Sequence, residues 1–131
     1  MKKLGLVNFI LLVMAVVSLS SCGGDDRHDD EPEIYYVRYS IGVEPGCDAM
    51  ISYSDVDGNN TIRQICHSGS IEVTVGPVMR GFDADVTGNQ IIDDEYKFPQ
   101  WMRIDVSRNG KPFVMKKYRS EAVSLNYTVG D

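Results

Sequence analysis

The chain reads as all-β, a single antiparallel β-sandwich of seven or eight short strands. Three observations predict it. From Ile34 to Asp131 apolar and polar residues alternate repeatedly at period two. Clusters of Gly, Asn, Asp and Pro punctuate the runs roughly every dozen residues, as in sandwiches and barrels. No stretch of this segment carries a helical period.

The first run places Tyr35, Val37, Tyr39, Ile41 and Val43 on one face and Tyr36, Arg38 and Ser40 on the other, the pattern of a half-buried strand. Ala49, Ile51 and Tyr53 share a face of the second run, which ends in the turn cluster Asp55-Val56-Asp57-Gly58-Asn59-Asn60. A third run, Thr61 to His67, alternates less regularly. Ile71, Val73 and Val75 form the next face, and Gly76-Pro77 is expected to end that strand because proline has no N–H for a ladder. Phe82, Ala84 and Val86 follow. Gly88 to Gln100 lacks a strand signature and reads as an irregular crossover. Met102, Ile104 and Val106 lead into Asn109-Gly110, the residues that a two-residue type I′ hairpin turn prefers. The return strand begins at Phe113 to Met115, and its Lys116-Lys117 suits an exposed edge. Val123, Leu125, Tyr127 and Val129 make the last alternating run.

Residues 1–21 have the organisation of an export signal: Lys2-Lys3, an apolar stretch from Leu4 to Val17, and the small residues Ser18, Ser20 and Ser21 before Cys22. The apolar run is shorter than the roughly 20 residues that a membrane-spanning helix needs. Leu19-Ser20-Ser21-Cys22 resembles the lipobox of bacterial lipoproteins. That resemblance implies that Cys22 is acylated and becomes the first residue of the mature chain, anchored through its acyl chains. Residues 22–33 follow as an acidic, solvated tether without an apolar residue. Its start resembles the surface-export signal of Bacteroidetes lipoproteins. The expected address is therefore the outer membrane, facing the periplasm or the cell surface, with residues 34–131 as the single domain.

Removing Lys2 and Lys3 with the signal takes the formal charge from −6 to −8. An acidic chain with no basic stripe argues against nucleic acid as a partner. With Cys22 lipidated, only Cys47 and Cys66 remain. They flank two strand-like runs with Asp57-Gly58 near the midpoint, so a hairpin brings them together at its open end. In an oxidising compartment the expectation is a Cys47–Cys66 disulfide, contributing about 3 kcal/mol through loop closure.

Motifs for catalysis and cofactors are missing. Asp55-x-Asp57-Gly58 resembles the start of a calcium loop, but the sixth and twelfth positions are Asn60 and Cys66, where glycine and a carboxylate are required. A turn is the better reading. Cys66 and His67 are neighbours on a strand and point to opposite faces, so they do not make a dyad. Asp83 and Asp85 lie opposite an apolar face, where any solvated sheet carries acids. No enzyme activity, metal or cofactor is expected.

The order Val37-x-Tyr39, then Ile51-Ser52-Tyr53-x-Asp55-x-Asp57-Gly58, then Ile104-x-Val106-x-x-Asn109-Gly110-Lys111 resembles the MmpS-like family of transport-accessory proteins. The resemblance implies an immunoglobulin-like sandwich and an accessory role, here on a lipid anchor in place of a membrane helix. The expected function is a non-enzymatic binding or accessory module with an envelope protein or glycan as partner. The competing reading is a structural envelope or fimbrial-type assembly subunit. The candidate binding surface is Asp93, Asp94, Glu95, Tyr96, Phe98 and Trp101, which combines an acidic patch with three aromatics. The same aromatics would alternatively plug the open end of the sandwich.

Overall fold

In the four-stranded sheet, β1 (Tyr35–Gly42) buries Tyr35, Val37, Tyr39 and Ile41 on its inner face. It pairs on one side with β4 (Ser70–Val78) and on the other with β7 (Trp101–Arg108), and β8 (Val114–Ser120) closes the order β4-β1-β7-β8. The facing sheet is built on β2 (Cys47–Asp55) and β5 (Asp83–Ile92), with β3 (Gly58–Cys66) at one edge. β6 (Glu95–Lys97) and β9 (Ser124–Thr128) share the other side of β5. Every pairing is antiparallel. This is a computed structural model describing residues 32–131, within which Glu33–Asp131 is one compact unit. The expected signal peptide, lipidated Cys22 and nearly all of the tether lie outside the described residues.

The core is the set of period-two positions that the two sheets turn toward each other. Val37, Tyr39, Ile41, Ala49, Ile51, Val86, Met102 and Ile104 have negligible exposure. Each fully buried aliphatic side chain of this kind contributes about 1.5–3 kcal/mol. Tyr39 packs its ring against Tyr53 at 5.6 Å and satisfies its hydroxyl by donating to the Ser54 carbonyl at 2.8 Å. Burial also pushes the Tyr39 hydroxyl pKa far above its ordinary value, so it stays a donor.

Three expectations are corrected. The crossover at Gly88–Gln100 is strand and hairpin: β5 runs on to Ile92, and Ile92 pairs with Glu95 across Asp93-Asp94. Both aspartates take positive φ, 54° and 62°, giving a type I′ turn that short polar side chains tolerate. The resulting three-residue β6 is too short to leave a periodic signature and raises the count among the described residues to nine strands. β4 does not stop at Gly76-Pro77 but continues to Val78 as an edge strand. A register shift between Tyr35 and Val37 absorbs the proline, and Gly76 sits there at φ 139°, where an added Cβ would fall 2.9 Å from the Tyr35 carbonyl oxygen.

The third correction concerns the cysteines. Cys47 and Cys66 are paired positions of the β2–β3 ladder, as the hairpin reading requires, but both are free thiols. Each is turned to a different acceptor: Cys66 Sγ lies 3.1 Å from the Ser70 carbonyl oxygen and Cys47 Sγ 3.8 Å from Gln90 Oε1. The Asn109-Gly110 turn forms as expected, with positive φ at both residues, although the return strand starts only after Pro112.

Candidate functional site

Alternation along β7 turns Met102, Ile104 and Val106 inward, so Trp101, Arg103 and Asp105 point out from the four-stranded sheet. Trp101 therefore does not plug the end of the sandwich. It covers the outer side of β1 at Gly42, its cross-strand partner, where an added Cβ would fall 2.0 Å from the indole nitrogen. Tyr118 of β8 lies beside it, with ring centroids 6.4 Å apart and planes inclined by 23°. The Arg103 guanidinium sits 5.5 Å from the indole centroid, and Arg38 lies 4.3 Å over the ring of Phe113.

Asp105 holds these arginines. It is 3% exposed although it faces outward, because Arg38 and Arg103 fold over it. Its Oδ2 accepts from Arg38 Nε at 3.1 Å and Arg103 Nε at 3.0 Å. Two guanidinium groups on one carboxylate make a fixed platform that carries Trp101, Tyr118 and Phe113 on the sheet surface.

Tyr96 and Phe98 reach solvent at 67% and 60% exposure. Gln90 places the second of them. Almost fully buried, it accepts from the Glu44 backbone N–H at 2.8 Å and donates to the Phe98 carbonyl at 2.8 Å. This ties the β1–β2 loop to the segment entering β7. Pro99 is buried beside Phe98, and the Phe98 ring projects outward. Asp93, Asp94 and Glu95 are exposed at the β5–β6 hairpin tip. Asp93 lines a shallow cleft with Glu44, Pro45, Gly46, Cys47 and Asp48, separate from the Trp101 platform. The acids and the Trp101 platform are thus two surfaces, not one patch. Tyr96 belongs to the outer face of the five-stranded sheet, in a cross-strand row with Ile65, Asp48 and Ile91.

The expected turn cluster Asp55–Asn60 narrows to a two-residue turn at Val56-Asp57, with Gly58, Asn59 and Asn60 already paired in β3, and side chains of the cluster secure it. Asp55 accepts from the Val56 N–H at 2.7 Å and from Asn60 Nδ2 at 2.8 Å. Among the described residues no three His, Cys, Asp or Glu side chains converge as metal ligands.

One constellation has no signature in the sequence. Glu33, just before β1, accepts from Arg80 Nη2 at 2.7 Å and from Arg108 Nη2 at 2.6 Å, and the Tyr35 hydroxyl donates to it as well. The Tyr35 hydroxyl first and the Arg80 guanidinium second hold the Glu33 carboxyl below the usual carboxylate range. Sequence separations of 47 and 75 residues hide this cluster from any local pattern. No protein-family model matches the chain, and no curated protein matches it either.

Proposed function

We propose that the chain is an outer-membrane or surface-anchored lipoprotein whose β-sandwich is a non-enzymatic binding or accessory module for an envelope protein or glycan. The observation that carries this reading is the outward platform of Trp101 and Tyr118, fixed by the Arg103–Asp105–Arg38 network. Aromatic faces held rigid at a solvent surface are what sugar rings stack on and what protein partners bury. Rigidity matters because little side-chain entropy is then lost on binding. The Leu-Ser-Ser-Cys site ending at Cys22 and the acidic residues after it support the anchor, and the MmpS-like resemblance is in keeping with an accessory role. The alternative of a structural assembly subunit draws on β8, exposed along all seven residues. Lys116, Lys117 and Arg119 place charge along that edge, which opposes strand addition by another copy.

Two measurements test the proposal. Mass spectrometry of the mature N-terminus should find a diacylated Cys22, and a chain that begins elsewhere removes the anchor. A Trp101→Ala, Tyr118→Ala double variant should lose capture of the partner that the parent retains from envelope extracts. Undiminished capture by the folded variant removes the platform from consideration.

A further inference from the structure

The far end of β7 holds a second built site, about 23 Å along the strand from Trp101 at 3.3 Å per residue. A cavity of about 290 Å³ opens there beside Tyr35, with Tyr127 and Val106 also in its lining. Four cations line it: Arg80, Arg108, Lys111 and Lys116. Among the described residues, the carboxylates at the site are Glu33, in the fork of Arg80 and Arg108, and Asp131 in the lining. Among the described residues, neither Lys111 nor Lys116 has a carboxylate within salt-bridge distance. In an acidic chain this is a local excess of positive charge around a half-open cavity.

One arm of the fork is held independently of Glu33, and the other is carried on pinned backbone. Arg80 donates through Nη1 to the Gly130 carbonyl at 2.9 Å and lies so close to Gly130 that a Cβ there would meet its side chain at 2.6 Å. Arg108 closes β7, and the next residue, Asn109, pairs with the chain entering β1. The Ile34 N–H donates to Asn109 Oδ1 at 2.9 Å, and the Asn109 N–H donates to the Ile34 carbonyl at 2.7 Å. Those two bonds pin the backbone beside Glu33, so its side chain is free to swing out without unzipping the strand. Both carboxylate oxygens are met by guanidinium N–H groups, the recognition geometry of a carboxylate ligand.

We infer that this fork and its cavity are a recognition site for an acidic peptide segment, and that Glu33 is an intramolecular occupant displaced when the segment binds. The occupant already in place is a glutamate side chain on a peptide backbone, so peptide carboxylate is the chemistry that the fork fits. Lys111 and Lys116 stand ready for further acidic side chains of the same ligand. The site is independent of the Trp101 platform, and its failure would leave that reading untouched.

The test is fluorescence anisotropy of a labelled hexaglutamate peptide with the full-length chain in nonionic detergent at low salt. Hexaglutamine, inorganic phosphate and phosphatidylglycerol vesicles serve as comparisons. Hexaglutamate should bind and hexaglutamine should not. Removing the internal competitor by Glu33→Gln should tighten hexaglutamate binding about threefold to tenfold, because the competent fraction of the site rises. Arg108→Gln should weaken it about tenfold or more, the cost of one charge-assisted pair. The Lys111→Gln, Lys116→Gln variant breaks no ion pair of the described residues and should fold normally; it should weaken binding as well. The inference is overturned if Glu33→Gln leaves hexaglutamate binding unchanged or weaker, or if neither the arginine nor the lysine variant affects it. Competition by phosphate at equal concentration, or tighter capture by vesicles, would reassign the site to a phosphate-bearing ligand and refute the peptide.

Discussion

Replacing Asp105 should unfasten the outer layer of the four-stranded sheet. Its side chain is 4% exposed, while Arg38 and Arg103 retain 27% and 33%. Removing one partner of a buried ion pair costs about 3–5 kcal/mol when the other charge is left dry. Here the two guanidinium groups reach water, which lowers the expectation for Asp105→Ala to about 3 kcal/mol. Asp105→Asn keeps a carbonyl oxygen that accepts one N–H and loses mainly the charge, so its expected cost is about 2 kcal/mol. For a domain of this size the asparagine variant should melt about 10 °C lower. The assay is urea unfolding followed by fluorescence, which reports on Trp101 because it is the single tryptophan of the chain. A double-mutant cycle of Asp105→Ala with Arg38→Ala should give a coupling of about 1–2 kcal/mol. A loss below about 1 kcal/mol for Asp105→Ala, or strictly additive effects in the cycle, would refute the idea that this carboxylate holds the platform.

Gly42→Val should drive the indole off β1, because even a Cβ falls 2.0 Å from Trp101 Nε1; the fluorescence should shift to the red with a stability loss of about 1–2 kcal/mol. Glu33 has a carboxyl pKa lowered in the folded chain, so its contribution to stability is complete above the ordinary carboxylate value and is lost as pH falls through the lowered one. The urea midpoints of the parent and Glu33→Gln should accordingly differ at pH 6 and converge toward pH 2. In the reduced protein, iodoacetamide should label Cys47 before Cys66, since Cys47 is partly exposed and Cys66 is buried. Labelling of Cys47 should still need alkaline pH, because burial raises its thiol pKa and the neighbouring Cys66 adds to the effect. Asn109→Ala should cost about 1–2 kcal/mol by removing the acceptor for the Ile34 N–H and placing alanine at φ 51°.

Local chemistry alone determined which residues face the core. Val37, Tyr39 and Ile41, or Met102, Ile104 and Val106, announce their face because a strand alternates sides at every residue and only one side is apolar. Asn109-Gly110 announces its turn because few residues accept positive φ at two successive positions. The hairpin spacing brings Cys47 and Cys66 together at its open end, but spacing says nothing about side-chain rotation, and each thiol turns to its own oxygen acceptor. The Asp93-Asp94 turn leaves no legible pattern because β6 is only three residues long, too short for a period to appear. Asp105 illustrates the deeper limit. Its phase marks it as solvent-facing, and so it would be on a bare sheet; it is buried because Arg38 comes from a strand 67 residues away and folds over it. Glu33, Arg80 and Arg108 meet for the same reason. Alternation is a property of neighbours along the chain, whereas an ion-pair cluster is a property of neighbours across it, and only the pairing of β1 with β7 and β4 decides which distant charges become neighbours.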